Sequence, residues 1–424
     1  MPDDDITFLG ETTFRNERKR FGIKNEDRRR HIYIIGKTGT GKSELLINLA
    51  FQDIKRGYGI GFFDPYGESA ERLLDLVPKR RINEVVYFNP ADENFPIPFN
   101  IFERVKPVYR YSASLNLLNV FRKIWTDVWS AKIEYILENC ILALLDYPNS
   151  TILGIYRLLV DSSYRKAVID KITDPMVKIF WTQEFPQFSH SPEAEAVTLI
   201  KNKISKIIHN PLLRNILGQT KSKIDFKEII NGQKVFIANL SRARLGEDNS
   251  AILGLFLSTK VYLALLSRID IPAFQRRDFY LYLDEFQNFA SKAFISLLSE
   301  AAKYRLCLIL ANQYLKQLGQ VKDAVLGNVG TIISFRLGAE DAEYLAKEFS
   351  PEFSAEDFVN LAKFHIYLKL MVDGVVTRPF SGVTLPPVPK PERSYRKKII
   401  SVSRERYAVP KKVIEEKLGK WTGF

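Results

Sequence analysis

The chain has 424 residues, 46% apolar and 26% charged, with a net charge of +13, four histidines and two cysteines. That length allows two or three domains and a large core, and the basic excess favours a polyanionic partner, either nucleic acid or an anionic membrane face. Cys140 and Cys307 lie in apolar runs without any CxxC spacing, which excludes a disulfide framework and a structural zinc and implies a reducing compartment.

Residues 1–30 read as a polar lead-in. It opens Met-Pro-Asp-Asp-Asp, lacks the apolar core of a signal peptide, and ends in Arg28-Arg29-Arg30. Ile32 to Ile35 then reads as a buried strand, and Glu44 onward as a helix. Between them stands Gly36-Lys37-Thr38-Gly39-Thr40-Gly41-Lys42-Ser43, which satisfies G-x-x-x-x-G-K-[ST]. Strand, Gly-rich loop and helix is the context of a phosphate-binding loop. Gly36, Thr38, Gly39, Thr40 and Gly41 would turn backbone N–H groups toward the phosphates of ATP. Lys42 would reach the β- and γ-phosphates, and Ser43 would hold Mg²⁺.

Gly59 to Phe63 and Glu84 to Phe88 read as further strands with helices between, so the fold class is α/β with a parallel, doubly wound sheet. The second strand ends in Asp64-Pro65. Asp64 stands where a carboxylate can bear on Mg²⁺ or its water, or simply where a turn begins before Pro. Residues 89–107 are Pro- and Asn-rich, a connector. From about Tyr111 to Leu217 strand signals vanish and apolar residues recur at helical spacing. Strand patterns return at 234–239, 279–283, 305–311 and 330–335.

Within that second series, Ala251 to Leu266 is the longest apolar run, but Lys260 breaks it, so no membrane span is expected. The strand at 279–283 ends in Asp284-Glu285. Asp284 would hold the Mg²⁺ hydration shell, and Glu285 would orient and deprotonate an attacking water. Acids at a helix start give the same dipeptide a purely local explanation. The next strand ends in Asn312-Gln313, where Gln313 can touch a γ-phosphate or begin a helix. Phe364 to Met371 and Val375 to Phe380, joined by Asp373-Gly374, read as a hairpin. A Pro-rich stretch from Pro386 then opens a basic tail, with eleven Lys/Arg against four Asp/Glu in residues 386–424. Its short helical stretch, Lys411 to Leu418, offers Val413, Leu418 and Trp421 as anchors for a neighbouring subunit.

These signals divide the chain into the lead-in 1–30, a nucleotide-binding domain in two parts (31–110 and 231–385), an all-helical insertion at 111–230, and the tail 386–424.

In this order and spacing the chain resembles the FtsK–HerA superfamily of DNA-pumping ATPases, and within it the type IV secretion coupling proteins of conjugation. The residues that carry the likeness are His31 to Ser43, Phe63-Asp64-Pro65, Leu283 to Phe289, Ala311 to Tyr314, and Asn328-Val329-Gly330 leading to Phe335-Arg336. The resemblance implies a RecA-like P-loop ATPase fold and a homo-hexameric ring with nucleotide between subunits. It implies DNA in a central pore, with the helical insertion at one mouth, and membrane-embedded secretion or conjugation components as partners. Coupling proteins usually carry N-terminal transmembrane helices; this chain shows none, which implies a cytoplasmic protein, either a soluble relative or one recruited to the membrane by a partner. Where such proteins often carry Arg before Lys-Tyr, this chain has Ala302. Lys303, Arg305 or Arg336 would then supply the arginine that acts across subunits, and Arg336 is the favoured one because it follows a sheet strand. Arg242 and Arg244, after the strand ending near Leu240, are candidates for a mobile pore loop on DNA.

The function implied is an ATP-driven DNA translocase. The alternatives are a nucleotide-gated DNA-binding or scaffold protein with little turnover, and an ATPase that powers protein secretion. No LSGGQ-type signature or zinc-finger spacing supports a transporter cassette or a sequence-specific transcription factor.

Overall fold

Runs that are apolar throughout become the parallel centre of a large sheet, and runs that alternate become its antiparallel margin. In chain order the strands are β1 (Ile6–Thr12), β2 (Arg20–Lys24), β3 (Ile32–Ile35), β4 (Gly59–Asp64), β5 (Val85–Phe88), β6 (Val235–Asn239), β7 (Phe279–Leu283), β8 (Leu306–Asn312), β9 (Thr331–Ser334), β10 (His365–Lys369), β11 (Met371–Val372), β12 (Val375–Val376) and β13 (Phe380–Thr384). Eleven of them form one sheet in the order β2-β1-β13-β10-β9-β3-β8-β7-β4-β6-β5. From β9 to β5 every pairing is parallel. Those strands are buried along their whole length, as helices on both faces require. From β9 outward through β10, β13, β1 and β2 the pairings are antiparallel, and β10 alternates buried and half-buried residues.

The computed structural model describes residues 5–13, 18–103, 105–190, 193–290 and 292–422. The sheet lies in a unit made of Met1–Phe88, Phe226–Ala243 and Ala264–Ser403. Its core includes Ile34, Leu46, Leu49, Phe62, Tyr282 and Ile309, all fully buried. The helix Lys42–Arg56 contributes Leu45, Leu46, Leu49 and Ala50 to this core. It begins with Glu44 in its first turn, ends with Lys55 and Arg56 in its last, and stops at Gly57 with φ 92°.

A second unit comprises Asn89–Asp225, Arg244–Leu263 and Arg404–Phe424. Helices Arg110–Ile124, Ala131–Asp146, Ser162–Ile169, Glu193–His209 and Pro211–Leu217 belong to it. Ser130, Asp161 and Asn210 cap three of them by accepting first-turn N–H groups. Aromatic packing of Phe121 on Trp125 (4.7 Å) and on Phe256 (5.8 Å) helps to fill its core. Among the described residues one stretch, Glu247–Asp270, is long and apolar enough to cross a membrane, with mean hydropathy 1.6 over an 18-residue segment. Of that 18-residue segment 56% is buried inside the fold, and Lys260 donates to the Glu103 carbonyl.

Three expectations change. Residues 1–30 are not a simple lead-in: β1 and β2 complete the antiparallel margin, and Arg28 is fully buried. Both strands are only partly buried and mix polar with apolar residues, so they give little periodicity to detect. The tail is not an extended arm. Helix Arg396–Tyr407 buries Ile399 in the sheet unit's core, where the Ser403 hydroxyl accepts from Tyr87 N–H. Helix Lys411–Thr422 buries Ile414 and Leu418 in the second unit, so Leu418 is already used within the chain. The side chain of Trp421 lies outside the described residues. Finally, the hairpin is shorter than expected. β11 and β12 pair around Asp373 and Gly374, both with positive φ (53° and 79°) as a type I′ turn needs, while β10 instead joins β9 and β13.

Candidate active site

Strand register brings the Gly-rich loop to the carboxyl ends of three neighbouring strands. Ile35 of β3 stands opposite Asn312 on β8 and Ser334 on β9. Gly36 N–H donates to the Asn312 carbonyl (3.3 Å) and Lys37 N–H to the Arg336 carbonyl (2.9 Å). Glycine is required at two points. A Cβ at Gly36 would meet Phe335 Cβ at 2.5 Å, and one at Gly41, where φ is +124°, would meet Phe364 Cδ1 at 2.7 Å.

Lys42 opens the following helix. Its Nζ donates to the carbonyls of Gly36 (2.5 Å) and Lys37 (3.2 Å), so the ammonium is held beneath the loop. Burial lowers its pKa, against the opposing pull of Glu285 and Asp284. Thr40 is buried and donates its hydroxyl to the Lys37 carbonyl (2.7 Å), bracing the loop rather than lining the cleft.

Asp284 follows β7 and is 2% exposed. Its Oδ2 accepts from Ser43 Oγ (3.2 Å) and its Oδ1 from Glu285 N–H (3.0 Å). Burial above all, then the charges of Asp64 and Glu285, push its pKa up to about 7, while Lys42 and Ser43 pull it down. A hydroxyl and a carboxylate side by side, crowded by further negative charge, are the hard oxygen donors that Mg²⁺ takes, so the residues present fit that ion. Glu285 adopts a left-handed backbone (φ 48°) that follows the strand end directly. Its Oε2 accepts from Gln287 Nε2 (2.8 Å), which holds the carboxylate's direction, and its backbone carbonyl accepts from Asn288 Nδ2 (2.7 Å). Asp64 spends its oxygens on Tyr66 N–H (2.8 Å) and Ala70 N–H (2.8 Å), the turn-forming role of an Asp before Pro.

Asn312 is fully buried and locked, accepting from Tyr33 OH (2.8 Å) and donating to the Tyr314 carbonyl (2.8 Å). Gln313, the next residue, faces the cleft, where its Nε2 donates to Tyr66 OH (3.3 Å). The cleft has a volume of about 280 Å³, and Thr38, Lys42, Ser43, Asp284, Glu285 and Gln313 line it. Tyr66, Lys363 and Phe364 line it too, and sequence reasoning missed all three. Tyr66 was within reach of a search, because it follows the Asp64-Pro65 strand end. Lys363 and Phe364 carry no local signal.

The arginines fall in different places. Arg336 stands beside the loop through its carbonyl, is exposed, and does not line the cleft. Lys303 and Arg305 precede β8, at the end of that strand opposite Gln313, and Arg305 pairs with Asp278 (3.6 Å). Arg242 opens a short helix, Arg242–Leu245, rather than a loop, and its N–H donates to the Pro65 carbonyl (2.9 Å).

Residues 20–352 match the family described as the type IV secretion-system coupling protein DNA-binding domain. Among solved structures, the bacterial conjugative coupling protein TrwBdeltaN70 in its unbound form is similar with a TM-score of 0.65 at 15% identity, over 88% of this chain and 89% of that one. The plasmid coupling protein TrwB in complex with ADP and Mg²⁺ gives 0.63 at 16% identity, over 88% and 90%. VirB4 of Thermoanaerobacter pseudethanolicus gives 0.62 at 13% identity, over 89% and 96%. No curated protein is significantly similar in sequence. A phosphate-binding loop facing a strand-end Asp-Glu pair on a RecA-like sheet, together with a family match over most of its length, makes this chain a P-loop ATPase that belongs to the family of type IV secretion-system coupling proteins.

Proposed function

We propose that the chain hydrolyses ATP in the cleft between the 36–43 loop and Asp284-Glu285 and couples this to movement of DNA. The observation that carries the reading is the convergence of Lys42, Ser43, Asp284 and Glu285, from two distant stretches of sequence, on one cleft. Bound Mg²⁺ would neutralise charge on the phosphates, held by Ser43 and Asp284. The loop N–H groups and Lys42 bind and orient the phosphates at the helix N-terminus. Glu285, aimed by Gln287, takes the proton of the attacking water, and Gln313 touches the γ-phosphate. DNA as the partner is supported by the family match, and a homo-hexameric ring, with membrane-embedded secretion components beyond it, by the resemblance.

The test is phosphate release with and without DNA, together with DNA binding across a salt series. Stimulated release and a steep salt slope support the motor; DNA binding without stimulation argues against it. Native mass with a nonhydrolysable nucleotide checks the ring. A second reading, a nucleotide-gated DNA-binding protein with little turnover, has a specific observation behind it: position 302 is Ala, where such proteins often carry Arg. Lack of an arginine finger lowers turnover by about 10³ to 10⁵.

A further inference from the structure

Phe364 lines the cleft from the side opposite the acids, and nothing in the phosphate chemistry uses it. The sheet order puts β8 and then β7 on one side of β3, and β9 and then β10 on the other. Gln313 and Asp284-Glu285 follow β8 and β7, whereas Lys363 and Phe364 immediately precede β10. A nucleoside triphosphate whose γ-phosphate lies at the Asp284 end of this cleft must therefore extend its nucleoside toward Phe364.

The ring is held for such a role. Phe364 N–H donates to the Thr40 carbonyl (2.9 Å), inside the phosphate loop, and the Phe364 carbonyl accepts from Thr384 N–H (2.9 Å) on β13. Its backbone is left-handed (φ 67°), an uncommon state for a bulky residue and one that persists where its surroundings impose it. The ring edge packs over Gly41, leaving a half-buried aromatic surface with the Lys363 ammonium 4.9 Å from its centroid. Glu44, a carboxylate that also lines the cleft, is paired with Arg72 through Oε1, while its Oε2 is buried without a hydrogen bond. This end of the cleft thus offers a π-face, and stacking on such a face needs no particular pattern of donors and acceptors on the base.

We propose that Phe364 is the stacking platform for the base of the bound nucleotide. The proposal rests on the cleft's being a nucleotide site. The experiment compares Mg·ATP, Mg·GTP and inorganic tripolyphosphate with Mg²⁺, binding to wild type, Phe364→Leu and Phe364→Trp by calorimetry. Loss of the ring should weaken both nucleotides about tenfold or more and leave tripolyphosphate unchanged. Phe364→Trp should keep nucleotide affinity, and its indole emission, measured against the wild-type background, should change when ATP binds.

An equal loss of tripolyphosphate binding in Phe364→Leu would mean that the ring only supports the loop, and would overturn the proposal. So would unchanged ATP binding in that variant. Should Phe364→Leu fail to fold, Phe364→Trp decides alone, and an indole unaffected by ATP overturns the platform. If wild type bound tripolyphosphate as tightly as ATP, the platform would fall while the phosphate site stood. If it bound neither, the nucleotide reading itself would fall.

Discussion

Ser43 Oγ lies 3.2 Å from Asp284 Oδ2, although 241 positions of sequence separate them. Ser43 sits at the start of a helix after β3, and Asp284 directly follows β7, with β8 between those strands. The hydroxyl and carboxylate therefore meet only because the parallel sheet aligns both strand ends. Their meeting defines where a phosphate-bound cation would sit.

Replacing Lys42 by Ala should weaken nucleotide binding itself, because the ammonium is held under the loop that would carry the phosphates. Glu285→Gln should bind nucleotide as wild type does and lose turnover by about 10²-fold or more. Nucleotide titration and phosphate release separate the two effects. A Glu285→Gln protein that hydrolysed ATP at the wild-type rate would remove Glu285 from the chemistry.

Arg336 is expected to act on nucleotide, and subunit mixing shows on whose. Its carbonyl holds Lys37 N–H of its own loop, so its side chain starts beside the cleft of the same chain. In mixtures of Arg336→Ala and Glu285→Gln subunits, activity that returns means the arginine serves a neighbour's cleft. Mixtures that assemble but stay inactive mean it does not.

Asp53 accepts two hydrogen bonds from Arg28 (2.7 and 2.8 Å), and both side chains are fully buried. Tyr282, on the strand that carries Asp284, donates to Asp53, and the Arg28 guanidinium stacks 3.7 Å from the Tyr280 ring. Asp53→Ala leaves a buried cation without its partner, a loss of about 3–5 kcal/mol. Denaturant unfolding should show it as a lower midpoint. A loss below ~1 kcal/mol would mean that water reaches Arg28.

His31, just before β3, is 1% exposed and neutral. Its Nε2–H donates to the Leu298 carbonyl (3.1 Å) and its Nδ1 accepts from Leu308 N–H (3.2 Å). Burial pushes its pKa down from 6.5 to about 4. The unfolded chain therefore binds the proton first as pH falls. The contribution is complete above pH 6.5 and is lost between there and about 4, some ~3 kcal/mol in all. His31→Asn suits the left-handed backbone at this position (φ 66°), and its stability should fall less steeply over that range. Equal slopes in the two proteins would mean that His31 does not titrate there.

Truncation before Pro386 should destabilise the fold rather than merely loosen an assembly. It removes Ile399 from the sheet unit's core and Ile414 from the second unit, both fully buried. A truncated chain that melted like the full one would show those helices to be dispensable.

The phosphate loop and the strand-end Asp284-Glu285 were legible in sequence, because each is a local pattern whose chemistry demands those residue types next to one another. So were the central strands, since β3 to β9 are buried on both faces and read as continuous apolar runs. The margin β1 and β2 was not, because its strands are only partly buried and mix polar with apolar residues. In the tail the helical stretch from Lys411 was legible, but helix Arg396–Tyr407 was not, because Ile399 stands among charges that mask its periodicity. Lys363 and Phe364 reach the cleft only through β10's pairing with β9, and Arg28 meets Asp53 only through packing beneath Tyr282. Sequence by itself determined which groups can handle phosphate. The tertiary structure decided which strand ends share a cleft, because pairing across the sheet depends on contacts between residues far apart in the chain.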